Sequence, residues 1–555
     1  MIHFSSDGPI EVKQKKRLSD ESNWNKKHEK IGRYPNKFVE FCKRTDLHGY
    51  KYIVMEELSS FERGCWAFAV VVSIVVAVYF VVTAYMWYAR NPIVTVIEST
   101  QGAIWDVPFP AITICDQNAI SRKAARHFAD TVTLPPNISA DNIFEITRLA
   151  PLLYSGLGVT NKQKEDLRAL QKVLDLNNFT VDNFFRQLSP ARSCGNIVQR
   201  CMWKNTIYRC DQLFKTVFTV VNLCCTFNYF AVKDSEKKEP TEDPPKPRRV
   251  ASCGYQTALT VLLNTDPNDY YSAVVGSQGF IVFVDDAYNV PDLDSPARLI
   301  NPFTEVLIAL SPERTYATNG IKYFSPEQRQ CYYNNEVKFG SFRQYSFHNC
   351  MAYQRMELVR RACDCVPFYF PHKEPVRLCN FNDVPCLENI YMPKEDHHDN
   401  FGMTFHCFPE CEHFDYPLEV AQGDLAHDLQ HNGLPFFNDV KLENRSLLNV
   451  FFNDLVSTKY RRDVYFNWQN LLAAFGGLLS LMLGFTLISG FDFVLFFAFR
   501  MPFDKFFRKA TPESSVNAMK NKVNPSKLSV QQKKDTWMSD SLKNEVFLSR
   551  YNKKW

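Results

Sequence analysis

The sequence predicts an α+β protein with two transmembrane helices and a large disulfide-rich domain between them. Three observations carry this. Two stretches of the 555 residues, 64–89 and about 465–499, run long enough without a cluster of charge to cross a bilayer. All but two of the 17 cysteines, Cys42 and Cys65, lie between them. The region that holds those cysteines mixes helical and strand patterns, and the mean hydropathy of the whole chain is slightly negative, so most of it belongs in water.

Taken in order, residues 1–63 are polar and of mixed charge and are expected to form a cytoplasmic N-terminal tail. Residues 64–89 follow as the first transmembrane helix. With CWAFAVVVSIVVAVYFVVTAYMWY at its centre, this segment is roughly 39 Å long at the helical rise per residue, enough to span with some tilt. It begins too late and runs too long for a cleaved signal peptide. Lys43, Arg44, Lys51 and Arg63 precede it and only Arg90 closely follows, while Arg500, Lys505, Arg508 and Lys509 follow the second stretch. The excess of positive charge places both termini in the cytoplasm and residues 90–463 on the other side of the membrane; the expected location is the plasma membrane, with more than one pass. Lys459, Arg461 and Arg462 run against that bias, but long translocated loops largely ignore it.

Within 90–463, residues 118–130 (NAISRKAARHFAD), 163–176 and 344–362 have helical spacing, and 258–263, 279–284 and 305–310 read as strands bounded by Pro, Asp and Asn. Residues 233–249 (KDSEKKEPTEDPPKPRR) are too polar to pack and are expected to form an exposed loop, with Lys246-Pro-Arg-Arg249 a candidate protease site. The cysteine density, with sequons at Asn137-Ile-Ser139, Asn178-Phe-Thr180 and Asn444-Arg-Ser446, indicates an oxidising, glycosylated compartment. Cys363-x-Cys365 and Cys407-x3-Cys411, with His397, His398 and His406 nearby, could suggest zinc; in such a compartment disulfides are favoured and no metal is expected. A net charge of +4 with no basic-aromatic stripe gives no sign of nucleic acid. Gly-x-Ser-x-Gly, His-Glu-x-x-His and Walker-type patterns are absent, so neither an enzyme nor a cofactor is indicated.

The second stretch, assigned to residues 464–499 ahead of a Lys-rich cytoplasmic tail at 500–555, is poorly built as an anchor. It holds Gly476, Gly477, Gly484 and Gly490, and Asp492 stands among its apolar residues. Irregular backbone at membrane depth survives only where it lines a cavity or is buried in protein, and an intramembrane carboxylate marks an ion or proton path. This segment reads as a pore.

Short motifs then line up in order along the chain. Phe109-Pro-Ala-Ile-Thr-Ile-Cys115, His48-Gly49, Cys224-Cys-Thr-Phe-Asn228, Ser325-Pro-Glu-Gln-Arg-Gln-Cys331, Gly476-Gly477 and Gly484-Phe485-Thr486 resemble those of the degenerin/epithelial sodium channel family. The wording CCTFN and GFTLIS is most like its insect pickpocket branch. The resemblance implies a hand-like extracellular domain, with a β palm and a helical finger and thumb, and a homo- or heterotrimer of related subunits in the lipid bilayer. It also implies sodium-preferring current blocked by amiloride-type cations and gated through the extracellular domain by ligand, osmolality, force or pH. A non-conducting auxiliary subunit of the same family is the alternative, and an ATP-gated type of two-span channel a more distant one.

The family pattern assigns roles by position. Gly484, Phe485 and Thr486 would form the selectivity filter; Ala473, Ala474, Gly476, Gly477, Ser480 and Asp492 the pore and gate; His48, Gly49 and Tyr88 gating contacts. Thr486 replaces the filter serine, Ser480 a glycine, Ala474 an outer-mouth Asp or Asn, and Asp492 a Glu, which leaves sodium-over-potassium selectivity open. Gln328 stands where a lever tryptophan is usual, and Gln354 and Phe405 replace two cysteines of one rung. The implied disulfides are Cys115–Cys224, Cys201–Cys210, Cys331–Cys411, Cys350–Cys407, Cys363–Cys386 and Cys365–Cys379. Cys194, Cys225 and Cys253 are left without an assigned partner. Glycans are expected on Asn137, Asn178 and Asn444.

Overall fold

The computed structural model describes residues 37–500 and 502, apart from 91, 156–157, 234–245, 258, 274–275, 293–294, 373–374, 392–406, 427–434 and 466–467. The expectations for His397, His398, Phe405 and His406, for residues 1–36 and for the tail beyond 502 fall outside them. The chain divides into two units, Thr83–Leu471 and the described parts of Met1–Val82 with Leu472–Trp555.

The larger unit is built on sheets. Ala111–Asp116 lies at the centre of a five-stranded sheet, between Phe280–Asp285 and Leu223–Phe227, with Ala297–Ile300 and Phe214–Phe218 at the edges. A six-stranded sheet runs Leu418–Asp424, Thr304–Leu310, Arg445–Phe452, Leu259–Asn264, Val198–Trp203, Thr206–Tyr208. Thr304–Leu310 shows why: its side chains alternate, and Val306, Ile308 and Leu310 all turn inward with the two-residue period of a strand. Residues of both sheets share one core. Phe109 sits in it against Trp203 at 4.9 Å and Phe452 at 5.4 Å, and each such buried ring contributes about 1.5–3 kcal/mol.

Helices gather around a second core. Arg122–Thr131, Ala140–Thr147, Asn161–Leu176 and Val181–Leu188 bury Phe128, Ile143, Leu167, Leu170, Phe184 and Phe185 together with Val359, Phe368 and Phe381. The segment 118–130 is not wholly helical. Asn118–Ser121 is a strand paired with Tyr270–Ala273, and the Asn118 side chain donates to the Asp269 carbonyl and accepts from the Tyr271 N–H. Ser121 then caps the helix, its Oγ accepting the Ala124 N–H. Asn161–Leu176 starts two residues earlier than its apolar spacing suggests, because Thr160 and Gln163 form a reciprocal capping box.

A third, four-stranded sheet orders Ile93–Ala103, Val456–Val464, Glu313–Ala317 and His413–Asp415. Its first pair is antiparallel from Ile93 opposite Val464 to Ala103 opposite Val456. The Tyr465 N–H extends the ladder to the Pro92 carbonyl at 2.9 Å. This moves the start of the second apolar segment: Val464 and Tyr465 belong to the ladder, and the helix begins at Trp468.

Seven disulfides close among the described residues: Cys115–Cys224, Cys194–Cys225, Cys201–Cys210, Cys331–Cys411, Cys350–Cys407, Cys363–Cys386 and Cys365–Cys379. Cys253 has no disulfide partner, nor do Cys42 and Cys65. Cys224 and Cys225 are successive residues of one strand and so point to opposite faces of the sheet, which is why adjacent cysteines pair with different partners. The last part of the charged 233–249 stretch is tied down rather than loose. The Arg248 carbonyl accepts the Phe109 N–H at 2.8 Å, the Arg248 N–H donates to Asn228 Oδ1 at 2.9 Å, and Arg249 Nη1 donates to the Trp105 carbonyl at 3.3 Å. Val250 is buried. Lys246, Arg248 and Arg249 stay exposed even so.

Asp116 lies at the end of the central strand and is 7% exposed. Burial pushes its carboxyl up to about 7, against hydrogen bonds from the Asn118 N–H and the Tyr270 hydroxyl, with Asp269 adding to the rise. In the unfolded chain the group titrates near 3.9. The folded form therefore holds the proton more tightly, and the stability this brings is complete below about pH 4 and is lost as pH rises through about 7. The melting temperature of the purified chain is expected to rise between pH 8 and pH 5, and Asp116→Asn to remove part of that rise, the rest coming from Asp286, whose carboxyl burial likewise pushes up to about 7. An unaltered pH slope in the variant would refute the assignment.

Candidate pore and gate

In the smaller unit, Ser60–Arg90 begins as a helix long and apolar enough to cross a membrane, continuing past Val82 into the other unit. A second candidate is bent: Gln469–Leu483 and Leu487–Arg500 meet at 73°. Between them stand Gly484, Phe485 and Thr486. Gly484 takes φ +67, in the left-handed region where only glycine is at ease. Its N–H returns to the Ser480 carbonyl at 2.9 Å and that of Phe485 to Leu479 at 3.3 Å, so the upstream helix closes on itself. Thr486 is extended and caps the next helix, its Oγ1 accepting the Ser489 N–H at 3.2 Å. Among the described residues no backbone N–H donates to the carbonyls of Gly484 or Phe485.

The conformation of Gly484 has a second cause. The His48 N–H donates to the Leu483 carbonyl at 3.0 Å, and a methyl group on Gly484 would stand 2.6 Å from His48 Cδ2. The imidazole thus packs directly on the glycine of the break. Gly49 lets the chain turn there: its φ is +83, and a side chain would meet Val70 Cγ2 of the long helix at 2.7 Å. Tyr52 stacks on Trp66 of the same helix at 4.6 Å. Below this turn, Phe41 contacts the rings of Phe493, Phe496 and Phe497 at 5.2–5.8 Å, and Arg500 pairs with Glu40 at 3.3 Å. The short helix Lys37–Arg44 is thereby fastened to the downstream half of the broken helix.

The other candidate residues are distributed as follows. Ala473, Gly476, Gly477 and Ser480 are exposed and Ala474 half-buried, and side chains built on Gly476 or Gly477 would meet nothing within 4 Å. The recurrence of small residues at 473, 476–477 and 480 gives the helix one face without bulk, of the kind that lets helices approach closely in a membrane. Asp492 is exposed and borders a cavity of about 400 Å³ with Arg44, Leu495, Phe496, Phe499 and Arg500. Tyr88, in the larger unit, is half-buried. Its neighbour Trp87 makes the ring contact that the sequence did not single out, edge-on to Tyr465 at 4.6 Å. Gln328 closes a capping box with Ser325 at the start of the helix Pro326–Arg329, a local role that needs no aromatic ring.

A disulfide-rich α+β domain, joined through paired strands to one long apolar helix and one broken one, defines an ion-channel subunit and not an enzyme. The chain belongs to the amiloride-sensitive sodium channel family, whose profile matches residues 41–496. It is similar to the sodium channel protein Nach of Drosophila ananassae, 25% identical, covering 84% of this chain and 87% of that protein. Pickpocket protein 28 of Drosophila melanogaster is 23% identical over 83% and 78%. The bile acid-sensitive ion channel of Rattus norvegicus is 23% identical over 81% and 85%.

The packing of His48 on Gly484 yields a double test. Gly484→Ala adds both backbone strain, about 1–2 kcal/mol, and a clash with the imidazole. It is expected to abolish current in a background that conducts, and adding His48→Ala to restore part of it by removing the clash. Whole-cell recording beside surface biotinylation checks this; equal loss in the single and double variants would show that the two residues act independently.

Proposed function

We propose that the chain is a subunit of a sodium-preferring, amiloride-sensitive cation channel of the plasma membrane, gated through its extracellular domain and assembled as a homo- or heterotrimer. In this reading 64–89 and 464–499 contain the two membrane spans, 90–463 is extracellular, and 1–63 and 500–555 are cytoplasmic. Asn137, Asn178 and Asn444, all exposed, carry N-glycans. The observation that supports it most is the break at Gly484–Thr486, where two backbone carbonyls accept no backbone N–H among the described residues, inside an apolar helix pair. In hydrocarbon such groups are costly; lining a pore, they replace part of a cation's water shell, as carbonyl rings do in selectivity filters. Thr486 adds a hydroxyl at the same level. The small-residue face at Ala473, Gly477 and Ser480 serves as the closed contact between subunits, and Asp492 as a charge on the conduction path.

The filter assignment is tested by Thr486→Ala, which is expected to shift the reversal potential for sodium against potassium while current persists. Unchanged permeability ratios would exclude the site. Asp492→Asn is expected to lower single-channel conductance with normal surface expression; if conductance holds, the carboxylate serves the packing around Arg44 and Arg500 instead. At the gate, Ala473→Val should wedge the helices apart and give a constitutive, amiloride-sensitive inward current. Normal surface levels without resting current, in a chain that conducts when stimulated, would rule out the gating role.

A further inference from the structure

The parallel neighbours Thr304–Leu310 and Arg445–Phe452 are each entered through a residue in left-handed backbone, Phe303 at φ +61 and Asn444 at φ +56. Asparagine tolerates this; for a bulky phenylalanine it is an outlier that the surroundings must enforce. They do so through the third residue of the sequon: Ser446 Oγ accepts the Phe303 N–H at 3.0 Å and donates to the Asn301 carbonyl at 3.2 Å. The Phe303 carbonyl accepts the Leu425 N–H at 2.9 Å. The outcome is an aromatic ring left 40% exposed on the wall of a cavity of about 270 Å³, with Leu425, Leu442, Glu443, Asn444 and Arg445 as the other lining residues.

A further detail points to an occupant. The exposed Asn444 is held through its carbonyl, which accepts the Thr265 N–H at 3.0 Å, so its side-chain amide remains available. We propose that the first N-acetylglucosamine of a glycan on Asn444 seats in this cavity, its apolar face on Phe303. The inference rests on the extracellular placement of residues 90–463. Because the Ser446 hydroxyl is engaged in the folded chain, the sugar must be attached before this turn closes, and it is then in place when Phe303 is forced into its left-handed backbone.

The test uses the full chain from eukaryotic cells, with Asn137→Gln and Asn178→Gln so that only the third sequon remains. Peptide mass spectrometry reports occupancy, and thermal melting compares three forms: intact, trimmed to a single N-acetylglucosamine, and Asn444→Gln. The single-sugar form is expected to melt with the intact one, and Asn444→Gln about 1–2 °C lower, since the shift that one local contact produces shrinks as domain size grows. Phe303→Gly, which suits the backbone but removes the ring, should erase the difference between the glycosylated and Asn444→Gln forms. Identical melting of the single-sugar and Asn444→Gln forms would overturn the proposal, as would an unmodified Asn444 in a wild-type chain whose Asn137 and Asn178 are occupied. If none of the three sites is modified in that chain, the extracellular placement itself fails and the proposal with it.

Discussion

The antiparallel pairing of Ile93–Ala103 with Val456–Val464 is the constraint on which the larger unit depends. It joins the strand leaving the long apolar helix to the strand entering the broken one, across more than 350 residues of sequence. Closing so long a loop is entropically unfavourable but only logarithmically so, and the ladder offsets the cost with a run of backbone hydrogen bonds that ends at Tyr465 and Pro92. The parallel partner Glu313–Ala317 lies on the other edge of Val456–Val464, and the Thr318 hydroxyl donates to Asp463 at 2.8 Å. Arg462 Nη1 reaches the Glu410 carbonyl at 2.9 Å, next to Cys411. A displacement of the cysteine-bonded helical region therefore has a continuous route through hydrogen-bonded backbone to the ring contact between Trp87 and Tyr465.

Disulfides make that route stiff. Cys331–Cys411 and Cys350–Cys407 fasten the segment around 407–411 to the ends of two helices, and Cys363–Cys386 and Cys365–Cys379 hold the far end of Phe347–Cys363. Charge reinforces the same joint. Burial disfavours a proton on His413, but its pairing with Asp415 at 3.0 Å and the nearby Glu410 outweigh that and raise its affinity. Glu357, gripped by Arg360 and Arg361 on one helix face, stays ionised down to about 2. These are local ion pairs of modest worth; the covalent bonds and the ladder dominate.

The smaller unit obeys a different rule. A helix broken at Gly484 must find partners for the backbone groups it frees, and it finds one in His48, whose N–H takes the Leu483 carbonyl. Two glycines with positive φ, Gly49 and Gly484, make this approach possible, and neither can carry a side chain without collision. Among the described residues the carbonyls of Gly484 and Phe485 are left over, and the proposed pore is what would use them.

Much of this was legible in the order of residues. Apolar runs without charge are written in composition, because hydrocarbon excludes charge over a fixed length. Cysteine density reports a disulfide-bonded region, and the alternation in Thr304–Leu310 reports one buried face. Even the break at Gly484–Phe485–Thr486 is visible as glycine within an apolar run. Other features depend on which distant segments meet, and no local pattern encodes them. Asn118–Ser121 is a strand because Tyr270–Ala273 lies beside it, although its own spacing suits a helix. Cys194 pairs with Cys225, leaving Cys253 without a disulfide, because sheet pleating turns Cys225 away from Cys224. Arg248 and Arg249 are fixed by the carbonyl of Trp105, the side chain of Asn228 and the backbone of Phe109, where charge alone suggests a free loop. His48 meets Gly484 across more than 430 residues. Sequence determined the kinds of element, since these follow from local solvation; tertiary structure decided the contacts that would make a pore and its gate, since these follow from chain closure in three dimensions.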